Sequence, residues 1–226
     1  MNGSRTVVRA AAAWVLVGAA GLASAQTYTE GFDNVAALPA AGWMQVNTGA
    51  APRQPWDQGN EGIFPSFSGA PGSFVGANYL SAGSGVLDTW LISPVLTIDP
   101  ASQLSFYTRS AGERGFTDVL EILWSSGSGS ALGGFGSLLT IGSSALYPAS
   151  WTQFVLELPN APSGRFAFRQ RGLVDEASYI GVDSVRVTLA VAPVPEPETW
   201  ALMGAGIAAL AVTARRRRAA ATRSSA

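Results

Sequence analysis

The chain has 226 residues, with 14 Arg and no Lys, 15 acids, no His and no Cys, for a formal charge of −1. Without imidazole or thiol there is no Ser-His-Asp triad, no thiol nucleophile and no zinc or copper centre built on those ligands, and carboxylate pairs are the catalytic scheme that survives. Seven Arg lie at the two ends of the chain, so residues 26–192 carry thirteen acids against seven Arg; a charge near −6 disfavours nucleic acid as a partner, which calls for a basic stripe.

At the front, Arg5 and Arg9 precede an apolar run over residues 10–23 and the small-residue sequence Ala23-Ser24-Ala25. This predicts a secretory signal peptide over residues 1–25, cut before Gln26, with an uncleaved anchor as the alternative. Residues 26–192 then form one domain large enough for its own core. An exported domain with no Cys relies on that core, or on an ion, instead of disulfides.

Within the domain the apolar residues alternate in short runs separated by Gly, Pro, Ser and Asn, the pattern of an all-β sandwich or barrel. Strands are predicted at residues 28–32, 43–48, 74–80, 89–93, around 104–106, at 118–124, 151–158, 165–169 and 178–191. No amphipathic run long enough for a substantial helix interrupts them, and the Gly/Ser-rich residues 125–136 read as a long mobile loop.

In the first strand Glu30 shares a face with Tyr28 and Phe32, and in the last Asp183 shares a face with Val185 and Val187, so both carboxylates are expected to point at the core. A buried carboxylate without a partner is costly. Were the two strands neighbours, a structural Ca²⁺ ion would satisfy both, with Asp33 and Asp88 as further ligands; backbone N–H groups or Arg at the sandwich rim are the alternative. Trp43, Trp90, Trp124 and Trp151 are in strand phase and read as core. Trp56, Phe64 and Phe67, in the Gly/Pro-rich residues 55–72, are candidates for stacking on a glycan, with packing as the competing reading. Asp57 and Glu61 beside them are the one pair that suggests a hydrolase, although acids this close in a loop are commonplace. Arg165, Arg169 and Arg171 share the outward face of one strand, as expected of a solvated edge that resists strand addition.

Near the C-terminus, Val194-Pro195-Glu196-Pro197 precedes sixteen uncharged residues, 199–214, and then Arg215, Arg216, Arg217 and Arg218. A helix over 199–214 reaches about 24 Å at about 1.5 Å per residue, short of the ~30 Å hydrocarbon core but adequate for a thinned bilayer. The Arg cluster stops transfer and holds the terminus in the cytoplasm. Pro193, Pro195 and Pro197 keep the approach to the helix extended and accessible. This order of features over residues 193–226 resembles the PEP-CTERM sorting signal of Gram-negative bacteria. The resemblance implies an exosortase-type membrane protease that cuts near residues 195–197, a membrane anchor before processing, and a cell-surface or extracellular mature form.

The domain also resembles a family. Glu30-Gly31-Phe32-Asp33, Leu38-Pro39, Gly42-Trp43, the run Asp88-Thr89-Trp90-Leu91-Ile92-Ser93-Pro94, Phe166-Ala167-Phe168 and Val182-Asp183-Ser184-Val185 follow the order of the choice-of-anchor J domain, related to cleaved-adhesin and MAM-type jelly rolls. It implies a two-sheet jelly-roll β-sandwich with first and last strands adjacent, and adhesion or glycan contact as the role. Where that family closes with two adjacent acids, this chain has Asp183-Ser184. The function expected is that of a non-enzymatic, exosortase-sorted surface or matrix protein associated with exopolysaccharide or biofilm. The alternatives are a carbohydrate-active enzyme and a purely structural matrix component.

Overall fold

The computed structural model describes residues 27–98, 102–142, 146–188 and 197–223. The predicted signal peptide, the Val194-Pro195-Glu196 part of the sorting motif and the last residues of the final predicted strand lie outside the described residues. The chain divides into a sandwich unit, Ala25–Val191, and a second unit that contains the C-terminal helix.

In chain order the strands are β1 (Thr27–Glu30), β2 (Met44–Asn47), β3 (Asp57–Gln58), β4 (Val75–Asn78), β5 (Val86–Ile92), β6 (Leu96–Thr97), β7 (Gln103–Ser110), β8 (Val119–Ser126), β9 (Gly136–Ile141), β10 (Thr152–Glu157), β11 (Ser163–Leu173) and β12 (Tyr179–Thr188). They form two antiparallel sheets. The first runs β10-β7-β12-β4-β3, with β1 also paired to β12; the second runs β2-β5-β11-β8-β9, with β6 also paired to β11. The expected all-β sandwich is present, and its first and last strands are neighbours, from Thr27 opposite Thr188 to Glu30 opposite Val185.

Alternation explains which side chains fill the space between the sheets. β7 buries Leu104, Phe106 and Thr108 and leaves Ser105, Tyr107 and Arg109 half-exposed. β11 sends Phe166 and Phe168 into the same core, where they meet Trp43 and Phe106 edge-on at ring separations of 5.6 and 5.0 Å. Each such buried apolar side chain contributes about 2 kcal/mol relative to exposure. Trp43 and Trp124 are buried in this core as expected, Trp90 is buried outside it in a separate apolar cluster, and Trp151 is half-buried.

Three expectations need correction. The strand predicted to run to residue 80 stops at Asn78, whose side chain accepts the Leu80 N–H at 2.6 Å and caps a 3-10 turn over Tyr79–Ser81. Residues 125–136 are not one loop: β8 extends to Ser126, a 3-10 turn forms at Leu132–Gly134, and β9 begins at Gly136. Arg165, Arg169 and Arg171 do not sit on an edge, because β11 is central, between β5 and β8. A long strand flanked on both sides looks like an edge in sequence when its outward face carries charge.

The C-terminal helix α1 (Pro197–Arg223) starts at proline, whose missing N–H costs nothing in the first turn. It contains residues 199–214 and the Arg cluster, and Met203, Ile207, Leu210 and Val212 are exposed along it. Among the described residues no helix is long and apolar enough to cross a membrane.

Candidate functional site

The outer face of the first sheet is half covered by residues 59–74. The cover fits because the strands beneath it carry glycines. A Cβ on Gly181 would meet Phe64, Phe74 and Trp151, each at 3.0 Å, and one on Gly76 would run into the Tyr179 hydroxyl. Phe64 stacks on Phe74 at 5.1 Å, Tyr179 and Trp151 close around them, and the Arg109 guanidinium lies 4.3 Å from the Phe64 ring centre.

A bulge in β12 places Asp183 under this cover. Ser184 adopts φ 51°, and the register against β7 shifts between Asp183 and Arg186, so Val182 and Val185 both face the core while Asp183 does not. The expectation that Asp183 shares a face with Val185 is therefore corrected, since one extra residue reverses the alternation. Asp183 lies opposite Tyr107 on the outer face, fully buried, and its Oδ2 accepts the N–H groups of Phe67 at 2.9 Å and Ser68 at 3.1 Å. Burial pushes its carboxyl above the usual range, and the hydrogen bonds from Ser68, Ser184 and Phe67 offset only part of that rise.

The expected ion ligands are not assembled. Glu30, at the core-facing rim, accepts the Phe32 N–H at 2.8 Å; Asp33 is exposed; Asp88 is in the other sheet, bound at 2.6 and 2.8 Å to Arg169. Among the described residues no group of three or more acidic side chains is placed to hold a metal ion. The four acids thus do not make a Ca²⁺ cage, and backbone amides meet both Glu30 and Asp183.

The three aromatic candidates part ways. Trp56 and Phe64 are buried, which corrects their assignment as glycan contacts, whereas Phe67 is 43% exposed. Phe67 lies flat on Tyr107, with ring centres 3.6 Å apart and planes 16° from parallel. Beyond this stack Thr29, Gln153, Val155 and Arg186 are exposed among the described residues. Gln153 lies opposite Tyr107, and a second row sets Thr29, Arg186, Ser105 and Val155 side by side. A flat aromatic ledge next to amide, hydroxyl and guanidinium groups offers both a stacking surface and hydrogen bonds to a sugar ring. Tyr107, Gln153 and Arg186 were missed in the sequence because strand register sets them on one face and the fold of residues 59–74 brings Phe67 onto Tyr107.

Asp57 and Glu61 both line a cleft of about 380 Å³, together with Asn60, Asn78 and Tyr179. Asp57 accepts a hydrogen bond from the Gln54 side chain and Glu61 caps the Gly72 N–H at 3.0 Å. The Tyr179 hydroxyl accepts the Asn60 N–H at 3.0 Å, and burial pushes that hydroxyl up to about 12. In this arrangement both carboxylates brace the loop.

On the outer face of the second sheet an ion network replaces the loop. Arg169 bridges Asp88 and Glu121, with Glu121 at 3.0 Å, and Arg171 meets Glu121 at 2.8 Å. Arg169 also lies 4.7 Å above the Trp90 ring, whose Nε1 donates to Asp88 at 2.7 Å. The Asp88–Trp90 and Arg169–Arg171 spacings of two residues carried a same-face signal in the sequence; the register that joins the two pairs did not show there.

The PEP-CTERM protein-sorting motif matches residues 193–218. No curated protein matches the chain. Among solved structures the chain is similar to the K2 cleaved adhesin domain of Lys-gingipain, 19% identical over 73% of this chain and 100% of that one, with a TM-score of 0.54. It is also similar to the K1 cleaved adhesin domain of Lys-gingipain from Porphyromonas gingivalis, 20% identical over 73% of this chain and 99% of that one, with a TM-score of 0.53. The K3 domain from the same organism is 20% identical over 74% of this chain and 100% of that one, again with a TM-score of 0.53. The sorting motif and an adhesin-like β-sandwich are thus both present, and at these identities the likeness concerns fold.

Proposed function

We propose that this chain is a non-enzymatic exported surface protein whose sandwich contacts extracellular glycan through the uncovered half of its first sheet, around Phe67 and Tyr107. The observation that carries the reading is the sorting motif at residues 193–218 behind a domain of cleaved-adhesin fold. A secretory signal at residues 1–25 delivers the precursor across the inner membrane. The uncharged stretch 199–214 of α1 holds it at the membrane with Arg215–Arg218 on the cytoplasmic side, and an exosortase-type protease cuts near Glu196. The mature domain then serves in adhesion or in an exopolysaccharide-rich biofilm. In a host with the sorting machinery, mass spectrometry of the mature protein should find no residues beyond about 197, and Glu196→Ala should block processing while leaving export intact. Intact Arg215–Arg218 on the mature protein would replace sorting by plain anchoring. On a glycan array Phe67→Ala should lose binding by tenfold or more with the fold retained, and equal binding by the variant would remove this face from the reading.

A second reading, a carbohydrate-active enzyme, draws on the shared cleft of Asp57 and Glu61. Turnover of isolated exopolysaccharide that disappears in both Asp57→Asn and Glu61→Gln would put it first.

A further inference from the structure

The outer strands of the two sheets differ in how they guard their unpaired backbone groups. An exposed edge invites pairing with another chain, and proteins blunt it with short strands, bulges, proline or positive charge. β3 has two residues, and β1 and β2 have four each. β9 starts on Gly136, and its register against β8 is broken between Ile122 and Leu123. β10 carries none of these devices. It is six residues long, Thr-Gln-Phe-Val-Leu-Glu, pairs with β7 without interruption from Thr152 to Glu157, and leaves Val155 53% exposed.

The hydrogen-bond phase of this edge follows from its neighbour. The Leu158 N–H donates to the Ser102 carbonyl at 2.9 Å, in continuation of the register that sets Leu156 opposite Leu104. In an antiparallel pair such positions alternate, so Phe154 and Leu156 turn their N–H and C=O toward β7, and Gln153, Val155 and Glu157 turn theirs outward.

We propose that two copies of this chain associate edge to edge through β10, antiparallel about a two-fold axis at Val155. That register sets Val155 against Val155 and Gln153 against Glu157 twice, with Phe154 beside Leu156 on the core side. All three outward-turned residues of each strand meet an outward-turned residue of the other, which makes six backbone hydrogen bonds. The exposed valines cover each other, amide faces carboxylate, and no like charges oppose. Centring on Phe154 instead would leave Glu157 opposite Trp151, outside the strand, and reduce the bonds to four. The contact is isologous and closes as a dimer, so it adds one sheet of twice the width and no filament. It stands independently of what the outer face binds.

The absence of cysteine supplies the test. In full-length protein kept in mild detergent, Val155→Cys should place two thiols across the axis at the ~5.5 Å Cα separation of a hydrogen-bonded pair, within disulfide range. Under air the two thiols should yield one disulfide, with two electrons and two protons passing to oxygen, and the covalent dimer should form at least tenfold faster than from Ser128→Cys, an exposed position just after β8. In sedimentation the unmodified protein should be a concentration-dependent dimer. Val155→Lys should be monomeric with the melting temperature that the unmodified protein shows at dilution, and Val155→Pro likewise, because the N–H it removes points away from β7. Gln153→Glu should weaken the dimer and Gln153→Glu with Glu157→Lys should restore it. A monomer at every concentration, or cross-linking no faster at position 155 than at 128, overturns the proposal, as does a dimer untouched by Val155→Lys.

Discussion

The two outer faces of the sandwich solve the same problem in opposite ways. Each sheet has one face in the shared core and must do something with the other. The first sheet is built with Gly76 and Gly181 on that second face, so residues 59–74 can lie down on it and bury Phe64 and Phe74, and the acid left underneath, Asp183, becomes a tie to the Phe67 and Ser68 amides. The second sheet has side chains where the first has glycine. Its outer face is satisfied by ion pairs among Asp88, Arg169, Glu121 and Arg171 around Trp90, with Leu132 and Phe135 packed at one side. One face is held by apolar contact and backbone capping, the other by charge. Their responses to mutation, salt and pH should therefore diverge.

The largest effect should come from removing the apolar cover. Phe74 is fully buried, so Phe74→Ala should cost about 4 kcal/mol and lower the melting temperature by about 10 °C, measured by denaturant titration and calorimetry. A loss below about 1 kcal/mol would mean that residues 59–74 are not packed on the first sheet.

Next comes the tie beneath the cover. Asp183→Ala should cost about 1 kcal/mol by removing the two part-buried hydrogen bonds to the Phe67 and Ser68 amides, and Asp183→Asn less, since its carbonyl oxygen still accepts. Because burial raises the Asp183 carboxyl in the folded state, folding takes up a proton there. Its contribution is fully present below the ordinary value of about 3.9 and is lost as pH rises through the raised folded value. The unmodified protein should therefore decline relative to Asp183→Asn over that rise when urea midpoints are compared.

The smallest effect, with the opposite sign, should appear on the charged face. Burial pushes the Asp88 carboxyl up, but its hydrogen bonds and charge contact with Arg169 outweigh burial and hold it below the usual range. Its contribution is present above the ordinary value and fades as pH falls through the lowered one. A double-mutant cycle of Asp88→Asn with Arg169→Gln should give a coupling of about 1 kcal/mol at neutral pH, discounted because both side chains are partly exposed, and near zero in acid. Coupling that persists unchanged in acid would show that the pair is not held by charge.

Much of this molecule is a local property of its sequence. Alternation in residues 104–110 and 163–173 determines which face each side chain takes, because side-chain direction in a strand has a period of two and needs no partner to be defined. The sorting tail is read the same way, as a linear order of proline, apolar run and Arg cluster at residues 193–218. What the sequence could not decide depends on register and coverage. A single left-handed residue, Ser184, reverses the phase of β12 and moves Asp183 from the core to the underside of a loop. The centrality of β11, the meeting of Phe67 with Tyr107 and of Arg169 with Asp88, and the open edge of β10 all follow from which strands lie side by side. Pairing across tens of residues is set by the closing of the whole sandwich, and no window of the chain contains it.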